Sequence, residues 1–314
     1  MKKRLLLSVL SVSLAGMLQP FTGKAQEFTK RQRYYSVGVS AMAANYFGDL
    51  SPATAVAGAD LQQTRTNFSI SASRKFFPRL SGRVSFSWSR LRGNDGSSAN
   101  GSEFYTNGRL QRNLSFRNDV KELAVVGEFD LFPNYSTFFK RAQFSPYAFL
   151  GAAVFHHNPK AYYKGDLMEK GWYALQPLQT EGVKYHRMQV SVPFGMGVRY
   201  RLNNQFDLGF EVGWRTTFTD YLDDVSTNYV DKGELNQNGG KAAWILADRS
   251  IEVPELKDQT IVLTARNGEQ YPAVGGVGAA GTPRGNDTYN DWYVLSGFTL
   301  TYYLSPTKTT SKFR

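Results

Sequence analysis

Three histidines and one cluster of aspartates are the residues best able to do chemistry in this 314-residue chain. His156 and His157 adjoin, and His186 comes shortly before the next apolar segment. A histidine activates a serine only where the two are in hydrogen-bond reach and a third group orients the ring. Ser89 and Ser191 fall in other segments, so the spacing offers no triad and no catalytic residue is assigned. Asp220, Asp223, Asp224, Asp287 and Asp291 bracket one long connection. Hard cations need several oxygens. The spacing does not match an EF-hand loop, so these five are weak metal candidates and better suited to Asx turns and strand-end hydrogen bonds. Gly276-Val277-Gly278-Ala279-Ala280-Gly281 matches the dinucleotide fingerprint as a string. It is followed by Thr282-Pro283-Arg284-Gly285, which opens a helix poorly, and residue 301 is Thr where an acid is needed, so it reads as a loop. No cofactor and no metal are expected.

Composition narrows the classes further. The absence of cysteine excludes disulfides, a thiol nucleophile, Cys-based metal centres and a lipoprotein anchor. Lys+Arg 37 against Asp+Glu 26 leaves 37 − 26 = +11. A mean hydropathy of −0.40 argues against a helical membrane bundle, but a membrane β-barrel turns only alternate residues to lipid. Lys2, Lys3 and Arg4, the apolar run Leu5–Leu18 and Gly23-Lys24-Ala25 form an export signal, residues 1–25, cut after Ala25. Residues 26–33 are expected as a periplasmic segment and 305–314 as a periplasmic tail.

Period-two alternation runs through the remainder. Val84, Phe86 and Trp88 alternate with Arg83, Ser85, Ser87 and Ser89. Val190, Val192, Phe194, Met196 and Val198 alternate with Ser191, Pro193, Gly195, Gly197 and Arg199. Leu208, Phe210, Val212 and Trp214 alternate with Asp207, Gly209, Glu211, Gly213 and Arg215. Such alternation marks half-buried strands. The pattern predicts eight strands near 34–50, 66–77, 80–91, 114–131, 145–157, 185–200, 206–220 and 292–304. Short and long connections take turns along the chain, as in an outer-membrane barrel with short periplasmic turns and long external loops. The fold expected is therefore all-β: an eight-stranded antiparallel transmembrane β-barrel over 34–304, of small OmpA/OmpW-like size, with both termini periplasmic and long extracellular loops. The loop 221–291 is too long for a bare connection. Ile251–Val253 and Thr260–Ala265 within it are candidates for a small hairpin.

Aromatics collect at both strand ends, as two headgroup-level girdles would require. Tyr34, Phe76, Phe77, Phe132, Phe144, Tyr147, Tyr200 and Tyr303 are at the turn ends, and Tyr46, Phe47, Trp88, Phe155, Phe218 and Tyr293 at the external ends. Arg83, Glu122, Glu128, Arg199, Glu211 and Arg215 fall on the lumen side and are expected to pair as a plug, because a small barrel is just wide enough to be filled. Arg79, Lys140, Arg141 and Arg201 give the periplasmic ends a basic face suited to an acidic partner or anionic headgroups.

Several runs resemble the PorG-type outer-membrane barrel of the type IX secretion system. They include Asn45-Tyr46-Phe47-Gly48-Asp49-Leu50, Leu114-Ser115-Phe116-Arg117-Asn118, Ser145-Pro146-Tyr147-Ala148-Phe149, Asn158-Pro159-Lys160-Ala161 and Leu175-Gln176-Pro177-Leu178. The most specific is Thr219-Asp220-Tyr221-Leu222-Asp223-Asp224-Val225-Ser226-Thr227; Arg284-Gly285-Asn286 and Asn290-Asp291-Trp292-Tyr293 follow in order. Residues 233–283 carry no counterpart. The resemblance implies a Gram-negative outer-membrane protein that is not an enzyme. It implies that the barrel anchors a secretion machine through a periplasmic ring lipoprotein and its soluble partner, with outer-membrane lipids around it. Nucleic acid is not an expected partner. The alternatives are a small porin or ligand-transport barrel, and a lipid-modifying outer-membrane enzyme.

Overall fold

The strands follow directly from the alternation. Where every second side chain is apolar and its neighbours are polar or small, an extended chain has one oily face and one wet face. A computed structural model describes residues 33–51, 62–98, 108–135 and 140–304. The expected signal segment and C-terminal tail, and nearly all of 26–33, lie outside the described residues.

Among the described residues there are twelve strands: β1 Tyr35–Phe47, β2 Arg65–Lys75, β3 Leu80–Asn94, β4 Ser115–Asp130, β5 Phe144–His156, β6 Pro159–Tyr163, β7 Gly171–Ala174, β8 Met188–Arg201, β9 Phe206–Thr217, β10 Thr260–Thr264, β11 Gln270–Val274 and β12 Trp292–Tyr303. Eight of them pair in the order β3-β2-β1-β12-β9-β8-β5-β4, and a β3–β4 pairing closes the ring. Every pairing is antiparallel, so the fold is a closed eight-stranded antiparallel barrel. Closure removes free sheet edges. The β5–β8 ladder skips Gly151 and Ala152 opposite Pro193 and Val192. Pro193 has no N–H to give it.

The outer wall is apolar. Val39, Ile70, Phe86, Val125, Leu150, Met196 and Phe298 are 56%, 61%, 48%, 58%, 63%, 62% and 59% exposed. Exposed apolar surface on this scale marks a surface that another phase covers. Inward positions near the turns are charged, small or tyrosine, such as Ser36, Asp130, Tyr147 and Tyr303, and those near the opposite mouth are mostly apolar. Lumen glycines give the larger rings room: a Cβ on Gly195 or on Gly213 would come within 2.8 Å of the Phe149 ring.

The turn end holds the short connections and both described termini. The Asn203 side-chain oxygen accepts from Gln205 N at 2.8 Å and Phe206 N at 2.9 Å, fixing the β8–β9 turn as an Asx turn. At the other end the long connections fold. β6 extends the sheet beside β4, with Lys160 opposite Arg117, and β7 adds to β6. The fourth loop forms helices α1 (Lys232–Gly239) and α2 (Lys241–Ala247) and the β10–β11 hairpin. Asp231 caps α1 by accepting from Gly233 N and Glu234 N. Trp244, Ile245, Leu246, Leu235 and Tyr271 pack on Tyr163 and Leu175 of the third loop, so the two loops share one apolar core.

Several expectations need correction. The hairpin pairs Thr260–Thr264 with Gln270–Val274, whereas Ser250–Glu252 is a 3-10 turn. β1 stops at Phe47 because Ser51 N bonds Gly48 O at 3.1 Å and turns the chain. Tyr46, Phe155 and Tyr293 belong to no girdle: they point inward and are buried, as are Tyr34, Tyr147 and Tyr303 at the turn end. Their parity along the strand places them on the inner face. Trp88, Phe218, Phe77, Phe132, Phe144 and Tyr200 do face outward.

Candidate functional site

From the turn end upward the lumen is a ladder of ion pairs. Lys75 Nζ lies 2.6 Å from Asp130, and Arg141 Nη2 lies 2.9 Å from Asp207. Arg199 bridges Glu128 at 3.0 Å and Asp130. Arg83 spans Glu211 at 2.7 Å and Glu128 at 3.2 Å. Arg215 approaches Glu122 at 3.6 Å. Five cations thus meet five acids, 5 − 5 = 0, and each has a partner. Tyrosines complete the acceptors: Tyr147 donates to Glu211 at 2.8 Å and Tyr293 to Glu122 at 2.7 Å. Neutral pairing is what a low-dielectric tube demands, since one uncompensated buried charge costs several kcal/mol.

The structure therefore brings Arg83, Glu128, Arg199 and Glu211 into one network, and Glu122 with Arg215 into the next layer. Sequence reading missed Lys75, Asp130, Arg141 and Tyr147 as members. Inward parity was the signal available for Lys75, Asp130 and Tyr147. The voids left along the ladder measure about 30 and 20 Å³, room for a water or two each.

Above the ladder Met42, Leu91, Phe116, Val120, Phe155 and Leu295 form an apolar layer with Leu222 and Val225 of the fourth loop. The mouth is then latched. Tyr46 Oη lies 2.7 Å from Asp223 and 2.9 Å from Asp291. One hydroxyl proton faces both carboxyls, an arrangement that favours a proton on either of them. Burial raises both carboxyls well above the usual range, and each is raised further by nearby carboxylates. Leu222 N donates to Asp291 at 2.9 Å and Val225 N to Asp223 at 2.9 Å. Asp224 accepts from Tyr185 at 2.7 Å and from Thr180. Arg284 Nη1 meets Glu181 at 2.8 Å, and Glu181 also accepts Ser226 N and Thr227 N at 3.0 and 2.9 Å.

The acidic cluster is thus a set of hydrogen-bond acceptors in which Asp223 and Asp291 come together, Asp224 turns to the third loop and Asp287 is exposed. Among the described residues no group of three His, Asp or Glu side chains is arranged to hold a metal. His157 is fully buried, its Nε2 lies 3.2 Å from the His186 carbonyl, and its ring stacks with Tyr185. Burial pulls it down to about 4, so it is neutral near pH 7. The Gly275–Gly281 stretch turns repeatedly at positive φ on Gly275, Gly276, Gly278 and Gly281 and opens no helix.

The basic face differs from expectation at one residue. Arg141 is 4% exposed, paired with Asp207 and stacked 3.7 Å over Tyr303, so it closes the lumen and presents no charge outward. Lys75 and Arg199 also turn inward. Arg33, Arg74, Arg79 and Lys140 stay exposed and Arg201 half-exposed. The acids of this end, Glu128, Asp130 and Asp207, are all buried, so its outer surface is cationic among the described residues.

A family model described as a domain of unknown function, DUF6089, matches residues 25–239. No curated protein matches the chain. Among solved structures the chain is similar to Ail, the attachment invasion locus protein of Yersinia pestis, at 8% identity over 87% of this chain and 99% of that one, TM-score 0.36. It is similar to Neisserial surface protein A at 9% identity, covering 85% and 96%, TM-score 0.36. It is similar to the outer membrane protein OprG from Pseudomonas aeruginosa at 7% identity, covering 89% and 99%, TM-score 0.38.

Proposed function

We propose that this chain, which belongs to the DUF6089 family, is a non-catalytic outer-membrane barrel that anchors a protein-secretion machine of the type IX kind through its basic turn face. The observation that carries the reading is the neutral, fully paired lumen. A filled tube moves no solute, so the work of the molecule falls to its two ends. The apolar outer wall supports residence in a membrane as strands. The cationic turn end supports attraction of an acidic periplasmic surface. The sequence runs of the PorG type supply the candidate partners, a ring lipoprotein and its soluble companion.

Arg79, Lys140 and Arg201 are the residues assigned to docking. Arg141 is removed from that set because it is a lumen residue. Reversing those three together to Glu is expected to release the ring proteins during affinity purification from detergent-solubilised outer membranes. The barrel itself should keep its heat-dependent gel shift. Unchanged co-purification from the triple variant overturns the docking assignment. A purified wild-type chain that carries no ring proteins overturns the secretion reading as a whole.

A further inference from the structure

The lipid-facing stripe of β3 and β4 does not end where the apolar belt ends. On β3 the outward positions read Val84, Phe86 and Trp88, then Arg90, Arg92 and Asn94. On β4 they read Phe129, Gly127, Val125 and Leu123, then Lys121, Asp119 and Arg117. The ladder pairs these faces throughout, Trp88 with Lys121, Arg90 with Asp119, and Arg92 with Arg117. Strands advance about 3.4 Å per residue and tilt about 35–45° in such barrels, so Arg90 and Arg92 stand roughly 5–11 Å above Trp88 along the membrane normal. That is the depth of lipid headgroups on the mouth side.

At this level the surface is concave. A cavity of about 520 Å³ is lined by Arg65, Arg90, Arg92, Arg117, Lys164 and Arg249, with Tyr162, Trp172 and Glu252. Its roof is the β6–β7 hairpin, whose Trp172 ring stacks 4.1 Å from the Arg117 guanidinium. Its back wall is held by Arg249, which bonds Glu252 at 2.7 and 2.9 Å, Ser115 at 2.7 Å and the Tyr162 carbonyl at 3.0 Å. Glu252 is thereby spent on Arg249, and Asp119 is shared by Arg90 at 2.7 Å and Arg117 at 3.7 Å. Among the described residues Arg90, Arg92, Arg117, Lys164 and Arg249 less these two acids leave 5 − 2 = +3. Among the described residues Arg92 and Lys164 have no acidic partner, and both are exposed. Guanidinium forks match phosphate oxygens, and a cationic recess beside the hydrocarbon level favours a ligand anchored there.

We propose that this cavity binds the phosphorylated headgroup of an outer-leaflet lipid, with its acyl chains lying down the Val84–Phe86–Trp88 stripe. The site rests on the membrane placement proposed above. It is independent of the basic turn face.

The test reconstitutes the full chain in phosphatidylcholine nanodiscs and titrates in fluorescent diphosphoryl lipid A. A second arm adds inorganic phosphate in solution as competitor. Saturable retention of the lipid by the wild-type chain is expected. Arg92→Glu with Lys164→Glu should weaken it about tenfold or more, the scale of losing charge-assisted phosphate contacts. Arg79→Glu, at the opposite end, should leave it unchanged. The paired variant is checked for its heat-dependent gel shift; Arg92→Gln with Lys164→Gln gives the same reading if the charge reversals fail to fold. Equal retention by wild type and folded variant overturns the site. Competition by free phosphate at matching concentration overturns the assignment to a lipid. A chain that does not enter the nanodisc overturns the membrane placement instead.

Discussion

Arg284 Nη1 lies 2.8 Å from Glu181 Oε1, and the two side chains are 2% and 1% exposed. The contact joins the end of the fourth loop to the third, 103 residues apart in sequence. Removing one member of a buried pair strands the other, at a cost of about 3–5 kcal/mol. Arg284→Met is therefore expected to free the cap that the third and fourth loops form over the mouth, while the strands stay paired. Limited proteolysis should cut within 228–283 of the variant at protease levels that spare the wild type, with the heat-dependent gel shift retained. Arg284→Met combined with Glu181→Leu should recover part of the loss.

The mouth should also respond to pH. Burial pushes Asp220 up to about 7 and Asp224 up to about 6, and raises Asp223 and Asp291 as well. A carboxyl raised above its unfolded value contributes stability that is full below about pH 4 and is lost as pH rises through the folded value. His157, lowered to about 4, works in the other direction. Its contribution is full above about pH 6.5 and is lost as pH falls toward 4. Above about pH 6.5 His157 no longer changes, so cap protection against hydrogen exchange should fall as pH rises through the Asp220 value of about 7, after correction for intrinsic rates. Asp220→Asn should flatten that slope, because the amide carries no titrating proton. A slope that persists unchanged in Asp220→Asn would place the titration elsewhere.

The lumen makes a separate demand. Arg83 holds both Glu211 and Glu128. Arg83→Met leaves those acids facing each other and is expected to lower barrel stability by about 3–5 kcal/mol. Thermal scans of the gel-shift transition would read the loss. Planar bilayers holding the wild-type chain should show no steady single-channel current. Steps that scale with salt would mean that the paired lumen opens.

Much of the barrel was legible because its physics is local. Successive side chains of a strand face opposite sides, so Val84, Phe86 and Trp88 and their polar neighbours announce both the strand and its two faces. The inward-facing Arg83, Glu122, Glu128 and Glu211 were legible for the same reason. Tyr46, Phe155 and Tyr293 were misplaced because nearness to a strand end was weighed and parity was not. Arg141 lies in a connection, where no period applies, and its inward turn is set by Asp207, 66 residues away. The cap was hidden for a similar reason: α1 and α2 are each about two turns long, and their apolar face is completed by Tyr163 and Leu175 from another loop. The cationic cavity joins β2, β3, β4, the β6–β7 hairpin and the fourth loop, a meeting that no single stretch encodes.

The proposed docking face requires the turn end to face the periplasm and the capped mouth to face outward. The chain has no cysteine, so single introduced thiols report cleanly. Lys140→Cys places one at the turn end and Asp166→Cys places one in the exposed third loop. Intact cells treated with a bulky, membrane-impermeant maleimide should label Asp166→Cys at once and Lys140→Cys only after the outer membrane is opened. Labelling of Lys140→Cys in intact cells, with Asp166→Cys protected, would invert the molecule and contradict the proposed docking face.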